Sequence, residues 1–457
     1  MMGCAITYSM AMGQTQNYYN AGGKAGPSPA PLLRKDFAQG DNSFLAGSNA
    51  AFALAQQFAG SPQAPISPVF VSKEWPSEPP PGIPFKRSTE ITGIVFTGRH
   101  AQYGGADTWY PSWAANGNLY SPWTDGTVNG VDSSSSGKNA TTGFAEIVGD
   151  DPLHLKIEDA ATYPASPAPY GGRYPSANLV YDGVWYYGTY CLYQTPGKRL
   201  NWDVLGPFAG FRYSTDYGRI WHASPHSCAH PLFNEPNRFA GKVKLGVPHI
   251  VDFGQNMRYS PDGKTYLVSQ GAADPDPEPR DANLSWITGD QIYLARVKPG
   301  IRNMNDASRY EYFAGNGKNG RPNWTRDFSR IKPLLDWNNH MGSVTITYDA
   351  PLKRYLMAVT DGRTTVSTFD TYILEARQIT GPWKLVAYMK DFGEQGYFVN
   401  FPSKFISGDG RTAWLSYSAN FTNSNTGTHY RSDPPGSGYW WTLQEVHLLG
   451  PRRSQSP

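Results

Sequence analysis

Residues 106–126 read ADTWYPSWAANGNLYSPWTDG, and the fold follows from the way this kind of stretch repeats. Apolar and polar residues alternate on both sides of the dipeptide Asn116-Gly117, which predicts two antiparallel strands joined by a tight turn. A hairpin reverses direction at its turn, so residues at similar distances from Gly117 return to one end of it. Asp107 precedes Gly117 by ten residues and Asp125 follows it by eight. The stretch therefore predicts two carboxylates at one rim of a hairpin, among aromatic side chains; a pair of solvated loop aspartates is the alternative.

The same strand–turn–strand pattern occurs five times, with turns near residues 117, 183, 262, 351 and 409. The five segments read SWAANGNLYSPW, ANLVYDGVWYYGTY, MRYSPDGKTYLVSQ, VTITYDAPLKRYLMAV and SKFISGDGRTAWLSYS. A second hairpin follows each of them, least clearly after the first. Two hairpins per unit are typical of a four-stranded propeller blade. The sequence predicts an all-β fold, a five-bladed β-propeller with four-stranded antiparallel blades; a sixth blade stays open if residues 66–100 contain another unit.

The first part of the chain differs from these repeats. Residues 1–65 alternate small residues with Gly, Gln and Asn, and we expect an N-terminal leader there that is poorly structured or partly helical. Residues 66–90 include PSEPPPGIP at 76–84, whose prolines favour an extended, stiff connector, together with a first strand. The propeller, expected to be the catalytic domain, is assigned to residues 91–450.

Composition supports the β assignment and narrows the class of function. The 457 residues include 29 Tyr, 21 Phe and 14 Trp, which favour strands, and 48 Gly and 38 Pro, which favour turns. The formal net charge of +3 is small, and no basic run indicates a nucleic-acid partner. No apolar run reaches the length of a membrane span. A carbohydrate is the expected partner, and the oligomeric state is left open.

Cysteine usage and missing motifs exclude several other classes. Cys4, Cys191 and Cys228 allow at most one internal disulfide and have no zinc-type spacing. The motifs of serine hydrolases, P-loop proteins and zinc proteases are missing. No cofactor or metal is predicted; the acidic loop at residues 274–278 is expected to be solvated, with calcium as the alternative. Low charge and abundant Trp, Tyr, Gly and Pro are common in secreted carbohydrate-active proteins, so we expect an extracytoplasmic location, periplasmic or secreted.

One short motif bears on the blades themselves. Residues 214–221 read STDYGRIW, which has the S-x-D-x-G-x-x-W form of the Asp-box turn of sialidase-like propellers. Ser214 and Asp216 are expected to accept hydrogen bonds from amides of the turn. Gly218 is expected to take a positive φ, and Trp221 to pack beneath the turn. The motif indicates a structural role rather than a catalytic one.

The innermost strand of each propeller blade lines the central channel, and we assign that role to the strand before each central turn. Residues that lead into these strands then converge on one opening from five places in the chain. Sugar sites combine planar polar groups with aromatic platforms. The predicted substrate-binding residues are His100, Trp109, Tyr110, Trp123, Arg173, Tyr174, His249, Asn256, Arg258, Asn339, His340, Asn400 and Lys404. The alternative for several of them, His249 and His340 above all, is a buried group satisfied by bonds between blades.

The opening of the first repeat resembles a bacterial five-bladed propeller family that includes endo-D-arabinanases cleaving mycobacterial arabinan, within the wider arabinanase- and sialidase-like propellers. The shared features are an Asp, an alternating strand, a Gly-containing turn and a second Asp eighteen residues after the first. Later segments such as RYSPDGKTYLVS are similar in style, so the resemblance spans roughly residues 90–447. It implies Asp107 and Asp125 as the catalytic carboxylates. The chain departs from the family where Asp125 is followed by Gly126 before Thr127, because the family has Thr directly after its second Asp.

Two carboxylates that share a site push their pKa values apart, which leaves one protonated and one ionised, as glycoside hydrolysis requires. The sequence thus predicts a glycoside hydrolase acting on a poly- or oligosaccharide, of a furanosidic, arabinan-like kind by the resemblance. Asp107 is assigned as base or nucleophile and Asp125 as acid, and the reverse assignment stays open.

Two other functions remain possible on the sequence alone. One is a polysaccharide lyase acting on a glycan that contains uronic acid. Such a lyase would draw its base and its cation from His100, Tyr103, Arg173, His249 and Arg258. The other is a glycan-binding propeller without catalytic activity.

Overall fold

The computed structural model describes residues 72–135, 139–164, 172–193, 204–235, 243–272, 285–362, 366–423 and 429–451. The predicted leader at 1–65, Cys4 and the acidic loop at 274–278 lie outside these residues. Within them, the chain is almost entirely β-structure. The strands are β1 (Lys73–Glu74), β2 (Gly93–Tyr103), β3 (Gly105–Asp107), β4 (Ser112–Trp113), β5 (Leu119–Val128), β6 (Val131–Ser133), β7 (Thr141–Val148), β8 (Lys156–Pro164), β9 (Gly172–Tyr181), β10 (Val184–Tyr193), β11 (Val204–Ser214), β12 (His249–Ile250), β13 (Thr265–Gly271), β14 (Gln291–Val297), β15 (Glu311–Asn316), β16 (Pro322–Thr325), β17 (Leu335–Asp336), β18 (Val344–Asp349), β19 (Arg354–Gly362), β20 (Phe369–Ala376), β21 (Lys384–Met389), β22 (Tyr397–Asn400), β23 (Thr412–Ser418) and β24 (Trp441–Leu449).

Helical structure in the described part of the chain is limited to short turns. These are one α-helical turn, α1 (Ile301–Met304), and four 3₁₀ turns at Gln255–Met257, Ala307–Arg309, Phe328–Arg330 and Ser403–Phe405. None of the described helices is long and apolar enough to cross a membrane.

The strands form five antiparallel sheets arranged in a ring, so the predicted five-bladed all-β propeller is confirmed. From the inner strand outward, blade 1 contains β3 with β4, then β5, β7 and β8, with β6 beside β5. Blade 2 contains β9, β10 and β11, and blade 3 contains β12 to β16 in order, with β17 against β14. Blade 4 contains β18 to β21, and blade 5 contains β22, β23, β24, β2 and β1. The described part of blade 2 has three strands rather than the four expected.

The two ends of the propeller sequence meet in blade 5. Strand β2 pairs with β24 from Gly93 opposite Leu449 to Tyr103 opposite Trp441, and β1 adds the outer edge. Residues 93–103 therefore complete the last blade and do not begin a sixth one. The chain closes the ring by hydrogen bonding between its early and late segments.

The turns between inner and second strands follow from their sequences. Asp182 and Gly183 have φ of 49° and 78°, the two positive values that a two-residue hairpin turn requires, and they join β9 to β10 directly. In blade 1, Gly117 has φ 90°, and the side chain of Asn116 accepts a hydrogen bond from the amide of Asn118. Each Gly-containing dipeptide thus fixes a reversal after an inner strand.

Neighbouring blades are joined around the ring by hydrogen bonds between their inner strands. The bonds run from Asn178 Nδ2 to the carbonyl of Tyr110 (2.6 Å), Ala177 N to Pro248 O (2.8 Å), Tyr348 N to Asp252 O (2.8 Å), Thr345 Oγ1 to Val399 O (2.6 Å) and Asn400 Nδ2 to Trp109 O (3.4 Å). Apolar and aromatic side chains fill the spaces between the sheets, with Trp109, Trp123, Trp185 and Trp441 among the largest fully buried ones. The spaces between the blades are therefore packed, and hydrogen bonds hold the inner strands side by side around the ring.

The inner strands begin at one end of the ring, which we call the mouth. Asp107 of blade 1 and Tyr397 of blade 5 lie there, joined by a hydrogen bond. We call the opposite end the far end. There, Asp252 of blade 3 accepts two hydrogen bonds from Ser403 of blade 5, at 2.7 and 2.8 Å, and Gln255 of blade 3 donates to the carbonyl of Ala114 in blade 1 at 3.3 Å. These bonds join non-neighbouring blades, so side chains cross the ring at its far end.

Residues 214–221 form a turn held by their own side chains. The hydroxyl of Ser214 donates to Asp216 Oδ1 at 2.7 Å and accepts from the amide of Gly218 at 2.8 Å. Asp216 Oδ1 also accepts from the amide of Ile220, Gly218 has φ 97°, and Trp221 packs edge-on against Trp185. This turn anchors the segment after β11 to the interface of blades 1 and 2.

One disulfide joins Cys191 on β10 to Cys228 in the segment after β11, spanning 37 residues. Both cysteines are buried, at 0% and 3% exposure. The bond therefore fixes the segment after β11 to the middle strand of blade 2.

Candidate active site

An irregular strand pairing brings Asp107 and Asp125 together at the mouth. Gly105 pairs with Thr127 and Asp107 pairs with Thr124, so two residues of β5 oppose one residue of β3. Such a bulge re-aims side chains locally, and Asp125 within it has a positive φ of 51°. The next residue must be glycine, because a Cβ on Gly126 would lie 2.0 Å from the carbonyl oxygen of Gly105. The two acids, eighteen residues apart, thus lie together in one bulged pair of strands.

Asp107 is a buried carboxyl group in a strongly perturbed environment. It is 8% exposed, and its Oδ2 accepts a hydrogen bond of 2.8 Å from the hydroxyl of Tyr397. Its other oxygen, Oδ1, has no hydrogen-bond partner among the described residues. Burial, and then the charge of Asp125, raise the pKa of Asp107 well above its usual range, while the hydroxyls of Tyr397, Tyr439 and Thr108 oppose the rise. This carboxyl is therefore disposed to hold a proton.

Asp125 is held by a single serine. Its Oδ1 accepts from the amide of Ser135 and its Oδ2 from the hydroxyl of Ser135, both at 2.6 Å. Burial raises the pKa of Asp125 above its usual range, and the two bonds from Ser135 oppose that rise because they stabilise the ionised form. Asp125 has donors on both oxygens where Asp107 has one oxygen bare, so Asp125 is the better placed of the two to carry the charge.

Tyrosines surround the carboxylate pair. The hydroxyl of Tyr439 donates to the backbone carbonyl of Asp125 at 2.7 Å. Burial raises the pKa of Tyr190 well above 10, and the charges of Asp107 and Asp125 raise it further. The same holds for Tyr397, where burial acts first and Asp107 second. The pair therefore sits among neutral phenol groups, and the groups that shift the pKa of Asp107 include a carboxylate and hydroxyls but no cation.

Several predicted binding residues lie near this pair. Tyr110 is 7% exposed, and its hydroxyl has no partner among the described residues. Burial raises its pKa well above 10, and Tyr190 and then Asp107 raise it further. Its ring lies 4.5 Å from that of His249. Tyr174 packs against Tyr190 with ring centroids 5.7 Å apart. Arg173 precedes Tyr174 near the start of β9, where it pairs with Cys191.

His249 lies deep in the channel and is neutral. Burial lowers its pKa to about 4, although the bond to the carbonyl of Val344 opposes this. Its Nδ1 therefore donates to that carbonyl at 2.8 Å, and Nε2 has no partner in the described part of the chain. Asn339 and His340 lead into β18 and reach the mouth from blade 4.

Other predicted binding residues are structural. Trp109 donates to the carbonyl of Ala106 and stacks on Trp441 at 5.4 Å, and Trp123 is fully buried. Asn400 is 9% exposed and donates to the carbonyls of Phe398 and Trp109. The two tryptophans fill the space between the sheets, and the amide of Asn400 is occupied by its hydrogen bonds. They offer no surface to a sugar.

The remaining predicted binding residues lie away from the mouth. His100 is on β2, the fourth strand of blade 5 counted from the channel. Asn256 bonds to Asp182, Arg258 is exposed over the ring of Tyr259, and Lys404 donates to the carbonyl of Gly117, all at the far end. Asn256, Arg258 and Lys404 each follow an inner strand that is so short that the chain has already crossed the ring when it reaches them. They take no part in the carboxylate site.

Four residues of the site were not among those predicted from the sequence: Ser135, Tyr190, Tyr397 and Tyr439. Tyr397 is the first residue of an inner strand. That position indicates a side chain at the mouth, but only the more polar residues near it were predicted to bind a sugar. Ser135 lies in the loop after β6, and nothing in the sequence marks it as part of the site. In the described residues, no three His, Cys, Asp or Glu side chains cluster so as to hold a metal ion.

The fold and this site define a five-bladed propeller with a carboxylate pair at its mouth. No protein-family model and no curated protein matches the chain. Among solved structures it is similar to a family 117 glycoside hydrolase of Zobellia galactanivorans, at 11% identity, 76% of this chain and 89% of that one, and a TM-score of 0.41. A GH43 β-xylosidase/α-arabinofuranosidase from a compost metagenome gives 11% identity, 81% and 100% coverage and a TM-score of 0.41. The catalytic domain of a GH62 α-L-arabinofuranosidase of Coprinopsis cinerea is similar at 11% identity, over 76% of this chain and 92% of that one, with a TM-score of 0.39. At such identities and TM-scores, the likeness says nothing about the activity of this chain.

Proposed function

We propose that this protein is a glycoside hydrolase that cleaves a poly- or oligosaccharide at the mouth of its propeller, with Asp107 and Asp125 as the catalytic carboxylates. The observation that carries the proposal is the pairing of two carboxylates with unlike surroundings. Asp107 is buried with one oxygen bare, and Asp125 receives two hydrogen bonds from Ser135. Hydrolysis of a glycosidic bond needs one such group protonated and one ionised.

The surroundings support the reverse of the assignment expected from the sequence. Asp107, whose pKa is raised well above its usual range, is the proton donor to the leaving oxygen. Asp125, stabilised in its charged form by Ser135, is the base or nucleophile. Tyr397 holds the carboxyl of Asp107 in place through its hydroxyl. Division of one proton between two neighbouring acids gives each a separate role.

The substrate enters from the mouth, since side chains of non-neighbouring blades cross the far end. The ring of Tyr174, half-buried beside Tyr190 at the mouth, offers a face to the C–H surface of a sugar ring. A furanosidic, arabinan-like glycan is the proposed substrate on the strength of the resemblance of the first repeat. The buried disulfide supports an extracytoplasmic location, because such bonds persist in oxidising compartments.

Lyase chemistry fits the site less well. It needs a cation beside a uronate carboxylate, whereas the groups around Asp107 are another carboxylate and phenols. Among the candidates whose side chains the structure describes, His249 is neutral, with its pKa lowered to about 4, and Arg258 is at the far end. A binding propeller without activity would not need the proton-holding carboxyl.

The test is the substitution of each carboxylate by its amide. Asp107→Asn and Asp125→Asn should each lower turnover at least about a hundredfold, in line with the contribution of acid–base groups. Asp132→Asn is the matched control, because Asp132 is exposed on the neighbouring strand β6, where its side chain accepts a hydrogen bond from Thr127. The measurement is release of reducing ends from a panel of arabinans, xylans, pectins and algal polysaccharides. Near-normal turnover in both variants contradicts the proposal, and an ultraviolet-absorbing product identifies a lyase instead.

A further inference from the structure

The segment that leads into β24 of blade 5 places a tyrosine hydroxyl on the backbone of Asp125. Tyr439 donates to the carbonyl oxygen of Asp125, in blade 1, at 2.7 Å and across 314 residues of sequence. A carbonyl oxygen only accepts hydrogen bonds, so the direction of this bond is fixed and does not depend on the charge of either carboxylate. The bond therefore ties the last blade to the bulge that carries the two acids.

Asp125 needs such support in its backbone. Its φ of 51° lies in the left-handed region, which is disfavoured for a residue that has a Cβ. The strand pairing is irregular there, because two residues of β5 oppose one residue of β3. Ser135 holds the carboxylate of Asp125, whereas Tyr439 holds its peptide group. The two neighbours thus act on different parts of one residue, and a shift of the peptide group would move the carboxylate.

Contacts on both sides fix Tyr439 itself. The carbonyl of Gly438, directly before it, accepts a hydrogen bond from the amide of Ala419 at 2.9 Å. Two residues after it, Trp441 is fully buried and stacks on Trp109 with ring centroids 5.4 Å apart. The hydroxyl is therefore presented from a backbone that is anchored before and after it, as a positioning group requires.

The same hydroxyl also acts on the other acid. It belongs, with that of Tyr397, to the hydroxyls that oppose the rise in the pKa of Asp107. Tyr397, also from blade 5, donates to Oδ2 of Asp107 at 2.8 Å. Blade 5 thus contacts both acids of blade 1, Asp107 through its carboxyl group and Asp125 through its backbone.

We propose that Tyr439 is a positioning residue: its bond to the carbonyl of Asp125 holds the bulge in the conformation that directs both carboxylates at one glycosidic bond. The inference rests on the proposed function, because it gives Tyr439 a part in the same reaction. Tyr439 acts through Asp125 and needs no contact with the sugar. Its loss should therefore slow the chemical step and leave substrate binding intact, since reacting groups must be closely aligned.

Tyr439→Phe is the test, because it keeps the ring and removes only the hydroxyl. On whichever panel polysaccharide the wild type cleaves, kcat should fall about tenfold to a hundredfold, the cost of a small misplacement of a reacting group, and KM should stay at its wild-type value. Asp107, as the acid, works only while protonated, so activity is lost as the pH rises through its pKa. Loss of a hydroxyl that lowers this pKa should move the basic limb of kcat/KM to higher pH.

Tyr310→Phe is the matched control. The hydroxyl of Tyr310 also donates to a backbone carbonyl at 2.7 Å, that of Met304, but Tyr310 directly precedes β15, the fourth strand of blade 3 counted from the channel. Both variants lose the same kind of bond, and only Tyr439→Phe loses it beside the carboxylate pair. We expect Tyr310→Phe to change neither kcat nor the pH profile.

Unchanged kcat in Tyr439→Phe, a fall of equal size in Tyr310→Phe, or a fall with an unmoved basic limb would overturn the inference. Each of these outcomes leaves the proposed function standing as long as Asp107→Asn and Asp125→Asn are inactive. A rise in KM in place of a fall in kcat would also overturn it, because Tyr439 would then act in substrate binding. If both carboxylate variants keep near-normal turnover, or if the wild type cleaves no polysaccharide of the panel, the proposed function fails and the inference fails with it.

Discussion

At the scale of single residues, Ser135 controls the charge on Asp125. Its amide and its hydroxyl each donate to one carboxylate oxygen at 2.6 Å, so it stabilises the ionised form twice. Among the described residues, Ser135 alone donates to the carboxylate of Asp125, while Tyr439 donates to its backbone carbonyl. The chemical role of this acid therefore depends on one neighbour in the loop after β6.

Replacement of Ser135 by alanine should move the acidic limb of the pH–activity profile. The hydroxyl bond lowers the pKa of Asp125, so its loss raises that pKa. A base or nucleophile works only when ionised, and activity is lost as the pH falls through its pKa. The acidic limb of kcat/KM should therefore shift to higher pH in Ser135→Ala. Ser134→Ala, one residue away, should leave the profile unchanged; a profile of Ser135→Ala that superimposes on the wild type would contradict the assigned role of Asp125.

The raised pKa of Asp107 also has a consequence for stability. Below the unfolded pKa of about 3.9, the carboxyl is protonated in both states and costs nothing. As the pH rises toward the folded pKa, the unfolded chain ionises while the folded one keeps its proton, so stability is lost. Asp107→Asn cannot ionise and escapes this loss. Its melting temperature should gain on that of the wild type between pH 4 and pH 7, and parallel melting curves at both pH values would show that Asp107 is not perturbed.

The carboxylate pair was predictable and its surroundings were not, for a reason visible in single residues. Asp107 and Asp125 are close in sequence, and the reversal at Asn116-Gly117 returns the chain to the pairing of β3 with β5 in which they meet. Tyr397, which bonds Asp107, lies 290 residues further along the chain. Its position depends on ring closure, which no local pattern encodes.

At the scale of elements, the bulge between β3 and β5 creates the site. Two residues of β5 face one residue of β3, and Asp125 takes a positive φ there. The backbone of Gly105 approaches Gly126 so closely that no side chain fits. The glycine after Asp125 is thus required by the geometry of the pair.

Gly126→Ala should disrupt this bulge. The new Cβ would lie 2.0 Å from the carbonyl oxygen of Gly105, so the two strands must separate. We expect a loss of about 1–3 kcal/mol in the free energy of unfolding, typical of overpacking, together with a large loss of activity. Chemical denaturation measures the first and reducing-end release the second. Gly408→Ala is the control, since a Cβ there meets nothing within 4 Å; equal stability of the two variants would exclude a close approach at Gly126.

Strand lengths explain why some predicted residues are absent from the site. Alternation of apolar and polar residues located the inner strands, but β12 covers only His249–Ile250 and β22 only Tyr397–Asn400. The chain then turns through 3₁₀ segments at the far end, where Asn256 and Lys404 lie. Periodicity does not report where a short strand stops, so it placed these side chains at the wrong end of the ring.

At the scale of the whole molecule, the disulfide adds a covalent link between β10 and the segment after β11, which also meet through Trp221. It joins β10 to a segment 37 residues later, next to Tyr190 of the carboxylate site. Exclusion of water at 0% and 3% exposure makes both cysteines difficult to reach in the folded protein. The sequence allowed one such bond but left its partners open among three cysteines.

Removal of both cysteines, as Cys191→Ala with Cys228→Ala, should lower the free energy of unfolding by about 2–4 kcal/mol. The closed loop no longer restricts the unfolded chain, and the segment after β11 keeps only its non-covalent contacts, such as that of Trp221 with Trp185. Thermal unfolding with and without reductant gives the measurement. The wild type should shift toward the double variant when reduced, and the double variant should not respond. Identical melting of all samples would indicate that the bond contributes nothing.

The number of blades shows what repeats can and cannot define. Five turns with similar flanks predicted five units, yet residues 66–100 left room for a sixth. Long-range pairing removes the ambiguity, because Gly93 lies opposite Leu449 and the early strand joins the last blade. A count of local patterns identifies the units, and only the pairing of distant segments closes them into a ring.

This closure also sets the order of events during synthesis. Strand β2 carries Ile94 and Phe96, which are 2% exposed in the finished protein, and 348 residues separate Thr97 on β2 from Glu445 on its partner β24. Until that stretch has been translated, the nascent chain keeps an apolar strand edge unpaired, a state prone to aggregation. Because contacts of such long range close the ring, the propeller should fold slowly.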